Sequence, residues 1–337
     1  MKNLLYVGNN LSTAKTNLSS IQNLGRTLED EGYQLRYASH FARKPLRLVH
    51  MLWATLRYSK WADKVIIDTY STQNFYYAVA VAQLCRCLGL PYICSLNGGN
   101  LPYRLEQNPK HSKALFGRAQ YNVSPSRYLQ QAFKTQGFEE VLYIPNSIAI
   151  DQYPITKKTF DSIRLLWVRS FSKIYNPEMA IEVLQKLKTA GYTVELCMVG
   201  PDSDSSMAKV KALASSKGLQ PRITGKLTKP EWIALSQDYN IFINTTDYDN
   251  MPVSVVEAMA LGFPIVSTNP GGMPYLIEDG KDGLLVKTGD TNAMCQAIIR
   301  IYEDAKLRKA LRFNARSHAE HFDWQNVKER WHMVLND

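Results

Sequence analysis

Asp249 and Glu257 are two acids with seven residues between them, and those residues decide what chemistry the pair could do. Asn250, Met251, Pro252, Val253 and Ser254 lead from a polar loop into an apolar helical pattern. A proline at the first helical position is pre-set for the helix, so Pro252 is expected to open one and to leave the Val253 and Ser254 N–H groups without helical partners. Such an end attracts phosphate through its donors and its dipole. Glu257 follows within the same helix, where a carboxylate can accept two vicinal hydroxyls as ribose presents them. Arg169 stands just beyond the apolar run 163–168, and Lys173 follows before a helix starting near Pro177. Two cations at the carboxyl end of a strand suit a pyrophosphate leaving group, because they neutralise charge that develops as a glycosidic C–O bond breaks.

Residues 247–286, DYDNMPVSVVEAMALGFPIVSTNPGGMPYLIEDGKDGLLV, resemble the donor-binding signature of retaining GT-B glycosyltransferases of family GT4. That signature is an acid, seven residues, a Glu, then Ala-Met-Ala, Gly, Pro and a Gly-Gly turn. The resemblance implies that Glu257 holds the ribose, that Asp249 faces the donor sugar, and that the helix start at Asn250–Ser254 holds the diphosphate, with Arg169 and Lys173 on the leaving group. The first acid is usually Glu in the family and is Asp here. Thr224, Gly225, Lys226 and Leu227 resemble the segment whose backbone edges the base, and Gly200 ends the preceding strand. The GGMP turn at 271–274 matches one that closes over the donor. In the N-terminal half, Gly8 and Asn9 follow the first strand, where a glycine lets backbone approach the diphosphate. Asn97, Gly98, Gly99 and Asn100 resemble a loop lining the reacting sugar and acceptor, although relatives often carry His at the position of Asn97.

The implied activity is retaining transfer of a hexosyl group from a nucleotide sugar, UDP- or GDP-linked, to a saccharide or lipid-linked acceptor. No cofactor and no protein nucleophile are implied, and the setting is assembly of a bacterial surface polysaccharide. Two rivals make different demands. A nucleotide-sugar 2-epimerase needs no acceptor, and a non-catalytic nucleotide-sugar-binding module turns nothing over.

Metal chemistry has weak support. Asp202/Asp204 and Asp247/Asp249 both spell an Asp-x-Asp pair, which binds a divalent cation when it directly ends an apolar strand. Gly200 and Pro201 intervene in the first case, and Asp249 already belongs to the acid-x7-Glu pattern in the second. The five cysteines and six histidines show no ligand spacing. A metal-independent reaction is expected.

The elements that must position these residues come in two sets. A chain of 337 residues is comfortable as two domains. Apolar runs at 4–8, 34–39, 64–69, 91–96, 120–123 and 141–144 alternate with helical patterns, the first of which carries Leu18, Ile21, Leu24 and Leu28 on one face. The pattern restarts with strands at 163–168, 194–200, 223–225, 240–246, 264–268 and 283–287. Alternation of this kind gives α/β architecture with parallel sheets: two Rossmann-like doubly wound domains facing a central cleft. Residues 1–150 form the acceptor-side domain and 163–315 the donor-binding domain, with 151–162 a polar linker. Helices in 316–337 pack back on the N-terminal domain in this reading.

Charge is unevenly placed. Residues 1–150 hold 17 Lys and Arg against 8 Asp and Glu, leaving 23 against 22 for the rest. A basic half suggests an anionic partner, and no nucleic-acid motif accompanies it. Residues 41–61 interleave Arg43, Lys44, Arg47, Arg57 and Lys60 with leucines, Met51, Trp53 and Trp61, a composition that can lie in a membrane interface. The N-terminus reads as a first strand rather than a signal peptide. The expectation is a cytoplasmic protein, peripheral on the inner face of the cell membrane.

Overall fold

In the computed structural model, which describes residues 2–11 and 19–337, each of these apolar runs forms a strand. The described residues divide into two compact units, one of residues 2–11, 19–145 and 328–337, the other of 146–327.

The first unit is a six-stranded parallel sheet of β1 (Asn3–Val7), β2 (Gln34–Ala38), β3 (Lys64–Thr69), β4 (Tyr92–Leu96), β5 (Tyr121–Ser124) and β6 (Val141–Tyr143). Its order is β2-β1-β3-β4-β5-β6. Every residue of β3 and β4 is buried, because helices cover both faces, and this is why neither alternates polar with apolar residues. The helix Ser20–Asp30 buries Ile21 and Leu28; Leu18, expected on the same face, lies outside the described residues. Phe75, Phe116 and Phe133 fill the core against the sheet, each stabilising it by roughly 1.5–3 kcal/mol. The chain's last segment, Lys328–Asp337, closes on this unit: buried Lys64 donates from Nζ to the Val334 carbonyl at 2.9 Å. Residues 316–327 stay with the second unit.

The second unit is a parallel sheet of β7 (Ile163–Val168), β8 (Val194–Val199), β9 (Arg222–Gly225), β10 (Ile241–Asn244), β11 (Ile265–Thr268) and β12 (Leu284–Val286). The order is β12-β11-β10-β7-β8-β9, so strand sequence reverses between β7 and β10. Two apolar clusters sandwich the sheet, one around Trp167, Leu184 and Ile298, the other around Phe242, Val255 and Phe263.

The polar stretch 151–162 is not a free linker. Tyr153 is 1% exposed within the second unit's core. Lys158 is buried too, donating to the Ser236 carbonyl at 2.8 Å with its ammonium 3.9 Å from the Phe263 ring centre. Composition marked the stretch as a linker, but one aromatic and one aliphatic stem suffice to anchor it.

Candidate functional site

Ligands in doubly wound sheets bind beyond the carboxyl ends of the strands where the order reverses. In the second unit that point lies between β7 and β10, and Arg169 is the first residue past β7. The loop after β10 carries Asp249. The two side chains meet: an Arg169 Nη2 donates to Asp249 Oδ2, with side-chain exposures of 9% and 13%. Arg169 also reaches Ser254 Oγ at 3.4 Å and lies 3.9 Å above the Tyr175 ring. Its Nε is buried without a hydrogen-bond partner among the described residues. The guanidinium thus keeps one desolvated donor, and a buried donor of this kind costs free energy until an acceptor arrives.

The helix behind Asp249 spans Val253–Ala260. Pro252 does not occupy its first turn as expected: with ψ of 116° it is the extended residue that precedes the helix. Its carbonyl takes the first helical hydrogen bonds, from Val255 and Val256, so Val253 and Ser254 N–H groups stand ahead of the ladder. The far end is electrostatically matched. Arg316 donates to the Ala260 carbonyl at 2.6 Å and Arg312 to Gly262 at 2.8 Å, cations where the helix dipole is negative.

Glu257 is buried in this helix at 6% exposure. Its Oε1 accepts the Tyr153 hydroxyl at 2.7 Å and the Lys229 ammonium at 2.9 Å. Neither partner was found from the sequence. Tyr153 stood in an assumed linker, and Lys229 follows the Thr224–Leu227 segment with nothing in its spacing to tie it to an acid.

Backbone proximity explains the glycines. At φ +151°, a Cβ on Gly200 would come within 1.7 Å of the Arg169 carbonyl oxygen; its N–H donates to Gly225 O at 2.8 Å. A Cβ on Gly272 would meet the Asn250 carbonyl at 1.7 Å, and the Gly272 N–H donates to Asp249 O at 2.9 Å. The Gly-Gly turn therefore braces the acid loop directly. Met251 is buried in the apolar cluster around Phe242, and Val253 and Leu227 pack against that cluster. Thr224 and Gly225 end β9, and Lys226 is exposed beyond it.

Lys173 is exposed in a short turn whose geometry Asp204 fixes. Asp204 accepts from the Lys173 N–H at 2.9 Å and from the Ser172 and Ser206 hydroxyls. These bonds, the Ser206 hydroxyl foremost, hold its carboxyl down at about 2. Asp202 accepts from Met207 N–H, and Asp247 from Asn176 Nδ2 at 3.1 Å. Both Asp-x-Asp pairs are thus engaged in loop structure. Among the described residues no three His, Cys, Asp or Glu side chains are grouped to hold a metal ion.

In the first unit the strand order reverses between β1 and β3. Gly8 follows β1, and Asn9 accepts from Arg47 Nη1 at 2.9 Å. Asn97 follows β4; its N–H and that of Gly98 donate to Thr69 O. Gly99 and Asn100 then lead into the helix Leu101–Gln107. The Asn97 side chain is not open to a ligand on all sides. Its Nδ2 donates to Asp68 Oδ1 at 2.7 Å and to Ser95 Oγ at 3.2 Å, and its Oδ1 accepts from Ser20 at 2.9 Å.

Residues 154–318 match the family described as Glycosyl transferases group 1. The D-inositol 3-phosphate glycosyltransferase of Paenarthrobacter aurescens is 24% identical over 50% of this chain and 42% of its own length. The amylovoran biosynthesis glycosyltransferase AmsK of Erwinia amylovora is 25% identical over 68% of this chain and 60% of its own. The chain thus spans less than two thirds of either relative. The HepE protein of Anabaena, solved with UDP and glucose, superposes with a TM-score of 0.80 over the whole of both chains at 16% identity. Just under half of the chain thus resembles the glycosyl transferases group 1 family, and its two parallel-sheet units have the GT-B fold.

Proposed function

We propose that the protein is a retaining, metal-independent glycosyltransferase that moves a hexosyl group from a nucleotide sugar to a glycan or lipid-linked acceptor in surface polysaccharide assembly. The observation that carries this reading is the cluster at the β7/β10 switch point. Arg169 retains a buried donor beside the start of the Val253–Ala260 helix, and Glu257 lies buried in the same helix. Cation, helix dipole and amides together suit a diphosphate, and a carboxylate suits ribose hydroxyls. Lys173, on the adjoining turn, adds a second cation. As the glycosidic C–O bond breaks, these cations take up the charge developing on the diphosphate, the role a metal would otherwise fill. The acceptor hydroxyl oxygen bonds to the anomeric carbon and passes its proton to the diphosphate oxygen that departs. The HepE neighbour was solved with UDP-glucose, which favours a uridine donor, and the name of AmsK, an amylovoran biosynthesis glycosyltransferase, favours a biosynthetic role.

The test is turnover. UDP-glucose, or another nucleotide sugar selected by thermal shift, is expected to be consumed faster when a lipid-diphosphate acceptor is supplied, equally with and without EDTA. Loss of activity in EDTA with recovery in Mn²⁺ would reject the metal-free mechanism. Epimer formation without acceptor would replace the transferase by an epimerase. Tight donor binding with no turnover on any acceptor leaves a binding module.

Peripheral attachment belongs to the same reading, with one correction. Arg47 is buried, holding Asn9 Oδ1 and the Phe41 and Ala42 carbonyls, so it offers no charge to a membrane. The exposed face of the helix Lys44–Arg57 carries Leu46, Val49, Trp53 and Leu56, spaced three and four apart. Arg43, Lys44, Arg57 and Lys60 are exposed around it. Among the described residues no helix is long and apolar enough to cross a membrane. The apolar stripe is expected to insert shallowly, with each nearby cation adding about 1 kcal/mol on anionic lipid. Co-sedimentation with anionic vesicles should fall on charge reversal at Arg43 and Lys44, and also in Trp53→Ser. Equal binding to neutral and anionic vesicles, or none to either, would discard the attachment.

A further inference from the structure

Asp68 is a buried acid near the carboxyl end of strand β3, and the mechanism above does not use it. It is 4% exposed. Oδ1 accepts two hydrogen bonds, from Asn97 Nδ2 at 2.7 Å and from the Tyr6 hydroxyl at 3.1 Å. Oδ2 is buried and has no hydrogen-bond partner among the described residues. It faces the Gly8 turn so closely that a Cβ on Gly8 would lie 2.6 Å from it. The adjoining cavity, lined by Gly8, Asn9, Asp68, Tyr70 and Asn74 among others, measures about 10 Å³, room for one water at most.

Residues of β1 and of the loop after β4 are tied to that carboxyl. Tyr6 comes from β1, Asn97 follows β4, and Ser20 of the first helix closes the chain by donating to Asn97 Oδ1 at 2.9 Å. An amide can sit in its pocket either way round. Here Asp68 and Ser95 both accept from Nδ2, so only one orientation keeps all partners satisfied. The flipped amide would set its oxygen against the Asp68 carboxylate and the Ser95 carbonyl, which only accept.

We propose that Asp68 is the positioning residue of position 97: it consumes the Asn97 amide nitrogen, so that only the carbonyl oxygen, which also accepts from Ser20, keeps capacity for a ligand, and that capacity reads a hydroxyl donor, not an acceptor. The consequence for substrate choice rests on the sugar-side reading of Asn97, whereas the positioning itself does not. Among the described residues the titratable groups facing Asp68 are two phenols, Tyr6 on β1 and Tyr70 just past β3; neither carries a positive charge. Burial therefore dominates and lifts the carboxyl to about 7, with the bonds from Tyr6 and Asn97 opposing it. The sign follows. An acid whose folded pKa lies above its unfolded value stabilises the fold at low pH and loses that contribution as pH rises toward 7.

The test needs no substrate. In a ¹⁵N-asparagine spectrum, the Asn97 side-chain NH₂, assigned from Asn97→Asp, should be protected from exchange and should titrate near pH 7. Asp68→Asn retains an acceptor for Nδ2. It should keep the protection, abolish the titration, and remove the fall in thermal stability between about pH 4 and 7 that wild type shows. Asp68→Leu should lose the protection, and where it folds should lower kcat while leaving UDP affinity at the wild-type value. An Asn97 amide that exchanges freely in wild type, or Asp68→Asn as damaging as Asp68→Leu, overturns the positioning role. Intact protection in a protein that turns over no nucleotide sugar sinks the transferase reading alone.

Discussion

Replacing Arg169 by Met is expected to lower sugar transfer by about 10²–10³-fold, the loss seen when one donor to a developing charge is removed. The guanidinium ties together Asp249, Ser254 and the Tyr175 ring, so the substitution also acts on the fold. Asp249 is left nearly buried without its cation, and breaking such a pair from one side costs up to about 3 kcal/mol. The double variant Arg169→Met/Asp249→Asn separates the two effects. It should recover most of the stability, read by urea denaturation, and none of the turnover. Arg169→Lys keeps charge but loses the planar fork that serves several partners at once, so only partial activity should return. Near-normal kcat in a folded Arg169→Met protein would remove Arg169 from the reaction.

Glu257→Ala should weaken UDP binding by about 1.5–3 kcal/mol, the value of hydrogen bonds to a charged group, or roughly 10- to 150-fold in Kd. Calorimetry reads this directly. A second loss accompanies it, because the buried Tyr153 hydroxyl forfeits its acceptor at 2.7 Å. An unmet buried donor costs about 1–3 kcal/mol, so Ala at this position should also lower Tm. Glu257→Gln retains an oxygen for Tyr153 and should restore stability, but not affinity, because the charge is gone. Lys229 donates to the same oxygen from a half-exposed position; Lys229→Ala should change stability little, as exposed pairs contribute about 1 kcal/mol or less. Unchanged UDP affinity in folded Glu257→Ala would reject the ribose contact.

The sequence by itself determined the architecture and the local part of the site. Strand and helix periodicity reports burial of neighbouring residues, which is a local property, and every apolar run became a strand in one of two parallel sheets. Asp249, the helix start and Glu257 were legible for the same reason, since nine consecutive positions carry them. Two further features were written there, one misread and one passed over. Arg47 shares the spacing of Met51, Ala54 and Thr55, the buried face of its helix, and its charge disguised that register. Asp68 directly follows the apolar run Val65–Ile67 within a strand, which marks a buried acid. Only the tertiary structure decided the rest. Arg169 meets Asp249 eighty positions away because β7 and β10 are neighbours. Tyr153 reaches Glu257 across 104 positions, and Asp68 orients Asn97 across 29. Strand order is set by how whole faces pack, so pairings between strand ends carry no signature in local spacing.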